Sequence, residues 1–137
     1  MKTNRFVAFF AVLAAVIALG VSCVQVQAPA ATGSVSNERY GRISGNYTAN
    51  LGCSLFEADQ AVRNAAKSLK LYQLYRNNET SKIEYEYKDV YESRISVTLS
   101  QDANGLAKIA IKFAKLGNKD FSKQFIDAID EQLRIEE

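Results

Sequence analysis

The chain has 137 residues, enough for one modest domain, and carries 17 Lys and Arg residues against 15 Asp and Glu residues, with no His. The absence of His excludes Ser-His-Asp and Cys-His catalysis and His-based metal sites, and two Cys are too few to form a zinc site alone. The composition therefore predicts a protein that is not an enzyme and holds no metal or cofactor.

The start of the chain has the features of a secretory signal. Lys2 and Arg5 give it positive charge, and residues 6–19 form an uninterrupted apolar run of fourteen residues. Removing these two of the 17 basic residues leaves 15, equal to the 15 acidic ones, so the exported part is formally neutral. A neutral exported chain gives no reason to expect a nucleic-acid partner.

Cys23 is the predicted lipid attachment residue, at the end of a bacterial lipoprotein-type signal that covers residues 1–23. It follows the small residue Ser22, as in such signals, although Gly20 stands where a Leu is usual. Val24 rather than Asp follows the Cys, which is consistent with transfer to an outer membrane. The predicted location is thus the cell envelope, with the protein anchored by the lipid and facing the periplasm.

Two other fates of the signal stay open. Cleavage after Ala28 or Ala30 would leave small residues at the −3 and −1 positions and would give a soluble secreted or periplasmic protein. Residues 6–24 also approach the length of about twenty residues that spans a bilayer, so an uncleaved anchor is the third possibility. Residues 24–39, rich in small and polar side chains, are predicted to be a flexible tether.

The single domain predicted for residues 40–137 begins with a strand and a helix. Residues 40–52 alternate apolar and polar side chains, which is typical of a half-buried strand with Ile43 and Tyr47 inward, and Gly45 indicates a bend or close helix packing. Ser54 and Glu57 form a capping box that starts the helix. Its apolar residues recur at three- and four-residue spacing: Leu55, Ala58, Ala61, Val62, Ala65 and Leu69.

Four more strands and a second helix follow. Residues 71–76 read as a strand ended by a turn at Asn77-Asn78, and residues 82–89, 94–100 and 106–115 alternate in the same way, with a hairpin turn at Asn104-Gly105. Short links between strands predict an antiparallel sheet with one face toward solvent. Asn118 is a good helix N-cap, and the apolar stripe after it comprises Phe121, Phe125, Ile129 and Leu133.

These elements predict an α+β domain in the order β-α-β-β-β-β-α. A one-faced antiparallel sheet and two amphipathic helices bury their apolar sides when both helices pack on the same face of the sheet. We therefore expect a two-layer sandwich.

Glu84 and Glu86 belong to an acidic run with Glu79 and Asp89, which could suggest acid–base chemistry or a calcium site. They alternate with tyrosines in a predicted strand, however, which places them on its solvent face. A solvated face is the more common reason for such a pattern. No catalytic residue and no metal ligand is predicted.

Tyrosine is the one residue type whose number is unusual: the chain has seven, and all of them follow the signal. The ordinary interpretation is that tyrosine favours strands and the edges of a core. The alternative is a contact surface, because tyrosine offers a large amphipathic area at low entropic cost. The residues of this possible contact surface are Tyr72, Tyr75, Tyr85, Tyr87 and Tyr91.

Several segments together resemble DUF3568, a family of small bacterial lipoproteins of unknown function. The resemblance rests on Tyr40-Gly41, the S-x-x-E helix start at Ser54, the ISVTL strand at 95–99 and GNKDFSKQFIDAI at 117–129, and it covers nearly all of residues 40–133. It implies a small envelope lipoprotein and carries over no site residues, because the family has none assigned. The element order is also similar to the helix-grip domains of the outer-membrane assembly lipoprotein BamC, a likeness of fold alone.

Two functions from different classes follow. The first is a non-enzymatic cell-envelope lipoprotein whose domain binds or scaffolds an unknown envelope protein, with the membrane reached through the lipid on Cys23. The second is a secreted or periplasmic carrier of a small ligand, held in a pocket between helices and sheet that Tyr85 and Tyr87 would line.

Overall fold

The computed structural model describes residues 35–135, which form a six-stranded sheet and two helices. The spatial order of the strands is β1-β2-β6-β5-β4-β3, and all neighbours are antiparallel. This arrangement confirms the predicted α+β sandwich. The elements in chain order are β1 Ser36–Tyr40, β2 Asn46–Asn50, α1 Leu55–Ser68, β3 Tyr72–Asn78, β4 Lys82–Lys88, β5 Arg94–Gln101, β6 Ala107–Phe113 and α2 Lys119–Ile135.

The sheet has one strand more than predicted. Strand β1 lies where the last residues of the tether were expected, and the predicted strand at 40–52 is a turn followed by β2. In that turn the Gly45 N–H donates to the Gly41 carbonyl at 2.7 Å, which leaves Ile43, predicted to face inward, fully exposed. The folded part therefore begins before Tyr40. Residues 1–34, including Cys23, lie outside the described residues.

The core lies on the side of the sheet that faces the helices. Residues opposite one another across neighbouring strands share a face, and three such rows run across the sheet. The central row joins Tyr47, Ile111, Val97 and Tyr85. Its members are buried, as are the inward residues of the rows beside it: Ala49, Ile83, Leu99, Ile109, Ile95 and Tyr87.

Both helices begin where the sequence predicts. The side chain of Ser54 accepts from the Glu57 N–H at 3.2 Å and the Glu57 carboxylate accepts from the Ser54 N–H at 3.0 Å, so the capping box is complete. The Asn118 side chain accepts from the Phe121 N–H at 3.0 Å and caps α2. The predicted stripes are buried at Ala58, Ala61, Val62, Ala65, Phe125, Ile129 and Leu133.

Strand β3 is longer than predicted at its end. Asn77 and Asn78, expected to form a turn, instead pair with Glu84 and Ile83 of β4, and the chain turns over the next three residues. Asparagine favours turns, but backbone pairing with a well-formed neighbouring strand outweighs that local preference.

Among residues 35–135, no helix has the length and apolar character needed to cross a membrane.

Candidate functional site

The five tyrosines of the predicted contact surface lie on two sides of the sheet. Tyr85 and Tyr87 pair with Val97 and Ile95, point toward the helices and are each 2% exposed. Their rings stack with centroids 5.7 Å apart. These two side chains belong to the core rather than to a contact surface, because the alternation of β4 turns every second residue inward.

The other three tyrosines are accessible at one end of the sheet. Tyr72 and Tyr75 lie on the edge strand β3, opposite Lys88 and Glu86 of β4, and Tyr91 lies in the turn between β4 and β5. Tyr72 and Val90 also line one depression of about 380 Å³. We call this region the β3 surface. Each of its members is exposed over about half or more of its area: Tyr72, Leu74, Tyr75, Val90 and Tyr91.

The β3 edge has few of the features that protect edge strands from pairing. The opposite edge, β1, has five residues, includes Glu38 and Arg39, and has an irregular register. Strand β3 has seven residues, and its one charged side chain, Arg76, is held on the helix side. Only the bulge at Leu74 interrupts its register. An edge with uncharged, partly apolar side chains favours pairing with another strand.

A buried ionic cluster holds β3 in place from the helix side. Asp59 of α1 has a side chain that is 7% exposed, and Arg76 of β3 donates to it from Nη2 at 2.9 Å and from Nε at 3.4 Å. The Tyr85 hydroxyl donates to the same carboxylate, and Arg63 Nη2 lies 3.1 Å from it. One carboxylate therefore joins α1, β3 and β4, with bidentate geometry from Arg76.

Burial and this carboxylate also affect the tyrosines. Burial, followed by the hydrogen bond to Asp59, raises the pKa of Tyr85 far above its ordinary value of 10.0. Burial also raises the pKa of Tyr87, and the negative charge of Asp59 raises that pKa further. Both hydroxyls therefore remain protonated well beyond the pH at which an exposed tyrosine ionises.

We expect the free energy of unfolding to fall as the pH rises above about 10. Tyrosines of the unfolded chain ionise there while Tyr85 and Tyr87 keep their protons, so the folded state binds more protons and loses relative stability with increasing pH. Urea unfolding followed by circular dichroism at pH 8, 9, 10 and 11 measures this. Tyr87→Phe should show a shallower decline, and equal stability at pH 8 and pH 11 would contradict the expectation.

The acidic residues of β4 lie on the open face of the sheet, as predicted. Glu84 lies 2.6 Å from Lys82, and Glu86 is ion-paired with Arg94. Each carboxylate thus has a basic neighbour on a partly exposed face, which is the arrangement of a solvated strand. Within residues 35–135, no group of three or more His, Cys, Asp or Glu residues could hold a metal ion.

The region between the helices and the sheet is occupied by the side chains of the core. A depression of about 230 Å³ that includes Tyr87 lies at the border of this region, between α1 and β3, and Tyr85 does not line it. Among the described residues, this depression at the border is thus a counterpart of the pocket predicted for a small-ligand carrier, although it lacks Tyr85.

Comparison with models of protein families gives a match over most of the chain. The family model described as "Protein of unknown function (DUF3568)" matches residues 6–132, which is most of the chain. No curated protein matches the sequence.

Proposed function

The chain belongs to the DUF3568 family of unknown function, and we propose that it is a non-enzymatic cell-envelope lipoprotein. A lipid on Cys23 anchors it, and its domain binds an envelope protein. The observation that carries the proposal is the β3 surface, where an edge strand with few protective features and exposed tyrosines coincide. The anchor itself rests on the sequence, in which Cys23 follows an apolar run and a small residue.

The partner segment is an extended strand that pairs with β3. The outer side of β3 presents backbone N–H and C=O groups with no neighbouring strand among the described residues. Addition of a strand to such an edge supplies affinity through main-chain hydrogen bonds, and side chains beside the edge supply specificity. Tyr72 and Tyr75 are suited to the second role, since tyrosine is enriched among the residues that dominate binding energy.

The buried cluster supports this role by fixing the edge before a partner arrives. Arg76 lies in the middle of β3 and is held by Asp59 of α1, so the strand is attached to the helix layer as well as to β4. A strand already held in its bound conformation loses less entropy on binding. The ionic cluster thus holds β3 from the helix side, and the β3 surface lies at the free edge of the same strand.

The test uses the full chain expressed in its native host, with a photo-crosslinking amino acid at Leu74. The matched control has the same amino acid at Ser96, which is exposed on the open face of the inner strand β5. We expect a specific crosslink to one membrane-fraction protein from position 74 only, and its loss when Tyr72 and Tyr75 are both changed to Ala. The mature chain from the same membranes should have the mass of a form that begins at a diacylated Cys23.

Each part of the proposal can fail separately. Equal crosslinking from positions 74 and 96, or a crosslink that survives loss of both tyrosines, would remove the β3 surface as the binding site. A mature chain that begins after Ala28 or Ala30 would remove the lipid anchor and favour soluble export.

A further inference from the structure

We propose that the open face of the sheet, at its β1 end, contacts the anionic headgroups of a lipid bilayer. We call this area the basic face, and its cations are Arg39 on β1 and Lys108 and Lys112 on β6. The inference rests on the proposed function, because the lipid anchor brings the domain to a bilayer. It adds which side of the domain faces that bilayer, and it uses no residue of the β3 surface.

The pairing of the strands places the three cations on the face away from the helices. Arg39 lies opposite Thr48, and Thr48 lies opposite Ala110. Lys108 and Lys112 stand two positions before and two positions after Ala110, so strand alternation puts them on its face. The positions between them are buried in the core. The basic face is thus the solvent side of β1, β2 and β6.

The positive charge of this face is not neutralised by ion pairs. Among residues 35–135, none of its three cations forms one. Glu38, beside Arg39 in the chain, forms its ion pair with α2, and Glu84 and Glu86 are paired with basic residues nearer to β3. Asp102, in the turn after β5, accepts from two backbone N–H groups of that turn. Unpaired positive charge at one end of the sheet attracts an anionic surface.

The floor of the basic face carries hydroxyl groups. A shallow depression of about 440 Å³ is lined by the cations Arg39 and Lys108 together with Thr48, Thr98 and Ser100. Hydroxyl, ammonium and guanidinium groups are all donors to phosphate oxygens. A bilayer presents its phosphates as a broad surface, so an open face of this kind can contact them without enclosing a ligand.

The chain enters the domain beside the basic face. Ser36, the first residue of β1, pairs with Asn50, which lies opposite Lys108. The chain between Cys23 and Ser36 reaches at most roughly 45 Å when fully extended. A lipid on Cys23 would therefore keep the β1 end of the sheet within that distance of the bilayer.

The basic face and the β3 surface can be occupied together. Strand β3 is five strand spacings from β1, about 24 Å across the sheet. A strand added to β3 extends the sheet sideways, beyond the edge opposite to β1. A partner protein and a bilayer would therefore not compete for the same part of the domain.

Lysine acetylation on vesicles tests the inference with the full chain purified from its native host. Vesicles of phosphatidylcholine alone are compared with vesicles in which one third of the lipid is phosphatidylglycerol. Lys108 and Lys112 should react at least threefold more slowly on the anionic vesicles, and 0.5 M sodium chloride should remove this protection. The controls in the same molecule are Lys67 and Lys119, exposed on the helices, which should react equally on both vesicles. Peptide mass spectrometry measures the rates.

Charge reversal shows whether the basic face itself causes the protection. In the double variant Arg39→Glu/Lys112→Glu, protection of Lys108 on anionic vesicles should fall severalfold. The matched control is Lys67→Glu/Lys119→Glu, which reverses the same number of charges on the helix layer and should leave Lys108 protected. Circular dichroism checks that both variants fold.

Three results would overturn the inference: equal rates for Lys108 on the two kinds of vesicle, equal protection of Lys108 and Lys67, or full protection in a folded Arg39→Glu/Lys112→Glu variant. Free glycerol phosphate that protects Lys108 on neutral vesicles would also overturn it, because the face would then bind a soluble anion. Flotation with the neutral vesicles reports the anchor separately. A chain that fails to float there would remove the lipid anchor, while Lys108 on the anionic vesicles still decides the inference.

Discussion

Replacing Asp59 with Ala should lower the free energy of unfolding by about 3–5 kcal/mol, the cost of breaking a buried ion pair by removing one partner. Arg76 and the Tyr85 hydroxyl would keep their buried or half-buried positions but lose the carboxylate to which they donate. Against a total stability of about 5–15 kcal/mol for a domain, this is a large share. Urea unfolding at neutral pH measures the change.

The matched control is Asp127→Ala on the exposed side of α2. Asp127 also pairs with a basic residue four positions away, Lys123 at 2.6 Å, but its side chain is 60% exposed. Exposed pairs of this kind contribute about 0.3–0.5 kcal/mol. A loss at Asp59 no larger than the loss at Asp127 would show that the cluster is solvated and does not anchor β3.

Much of the fold could be predicted from the sequence, because its signals are local. The capping box at Ser54, the Asn118 cap and the alternation of β4, β5 and β6 each depend on residues a few positions apart. Strand β1 was missed because SNERY has no alternation of apolar and polar side chains. Its place in the sheet comes from pairing with β2, which no local pattern reveals.

The candidate site was less accessible to sequence reasoning, because its parts are distant in the chain. Asp59 lies between Ala58 and Val62 of the apolar stripe, and a charged residue in that position could have indicated a buried ion pair. Its partners on the sheet, however, are 17 and 26 residues away, and only the strand order places Arg76 and Tyr85 together beside α1. The division of the tyrosines between two faces likewise depends on the register of β3 against β4.

Two glycines are in close backbone contact at the start of α2, and replacing either of them is expected to lower the free energy of unfolding strongly. Gly45, in the turn before β2, and Gly117, just before the N-cap of α2, both have positive φ, at 70° and 79°. A Cβ atom added to Gly117 would lie 2.3 Å from the Gly45 carbonyl oxygen, and one added to Gly45 would lie 2.5 Å from the Leu116 carbonyl oxygen. Neither backbone can accept a side chain without moving the other.

Gly117→Ala should therefore lower the free energy of unfolding by about 2–5 kcal/mol, from the left-handed conformation and the steric overlap together. Gly105→Ala is the matched control, since Gly105 has the same φ of 79° but its nearest neighbour to an added Cβ is Gln101 Nε2 at 3.7 Å. It should cost only about 1–2 kcal/mol, the cost of the conformation alone. Equal losses at the two positions would mean that the turn moves to accept the new methyl group.

Gly45→Ala tests the same contact from its other side. It should match Gly117→Ala in cost, and the double variant should cost less than the sum of the two, because displacing the turn from α2 once relieves both overlaps. Additive losses would indicate that each glycine is required for its own conformation and not for their mutual approach. In that case the turn before β2 would not determine the position at which α2 begins.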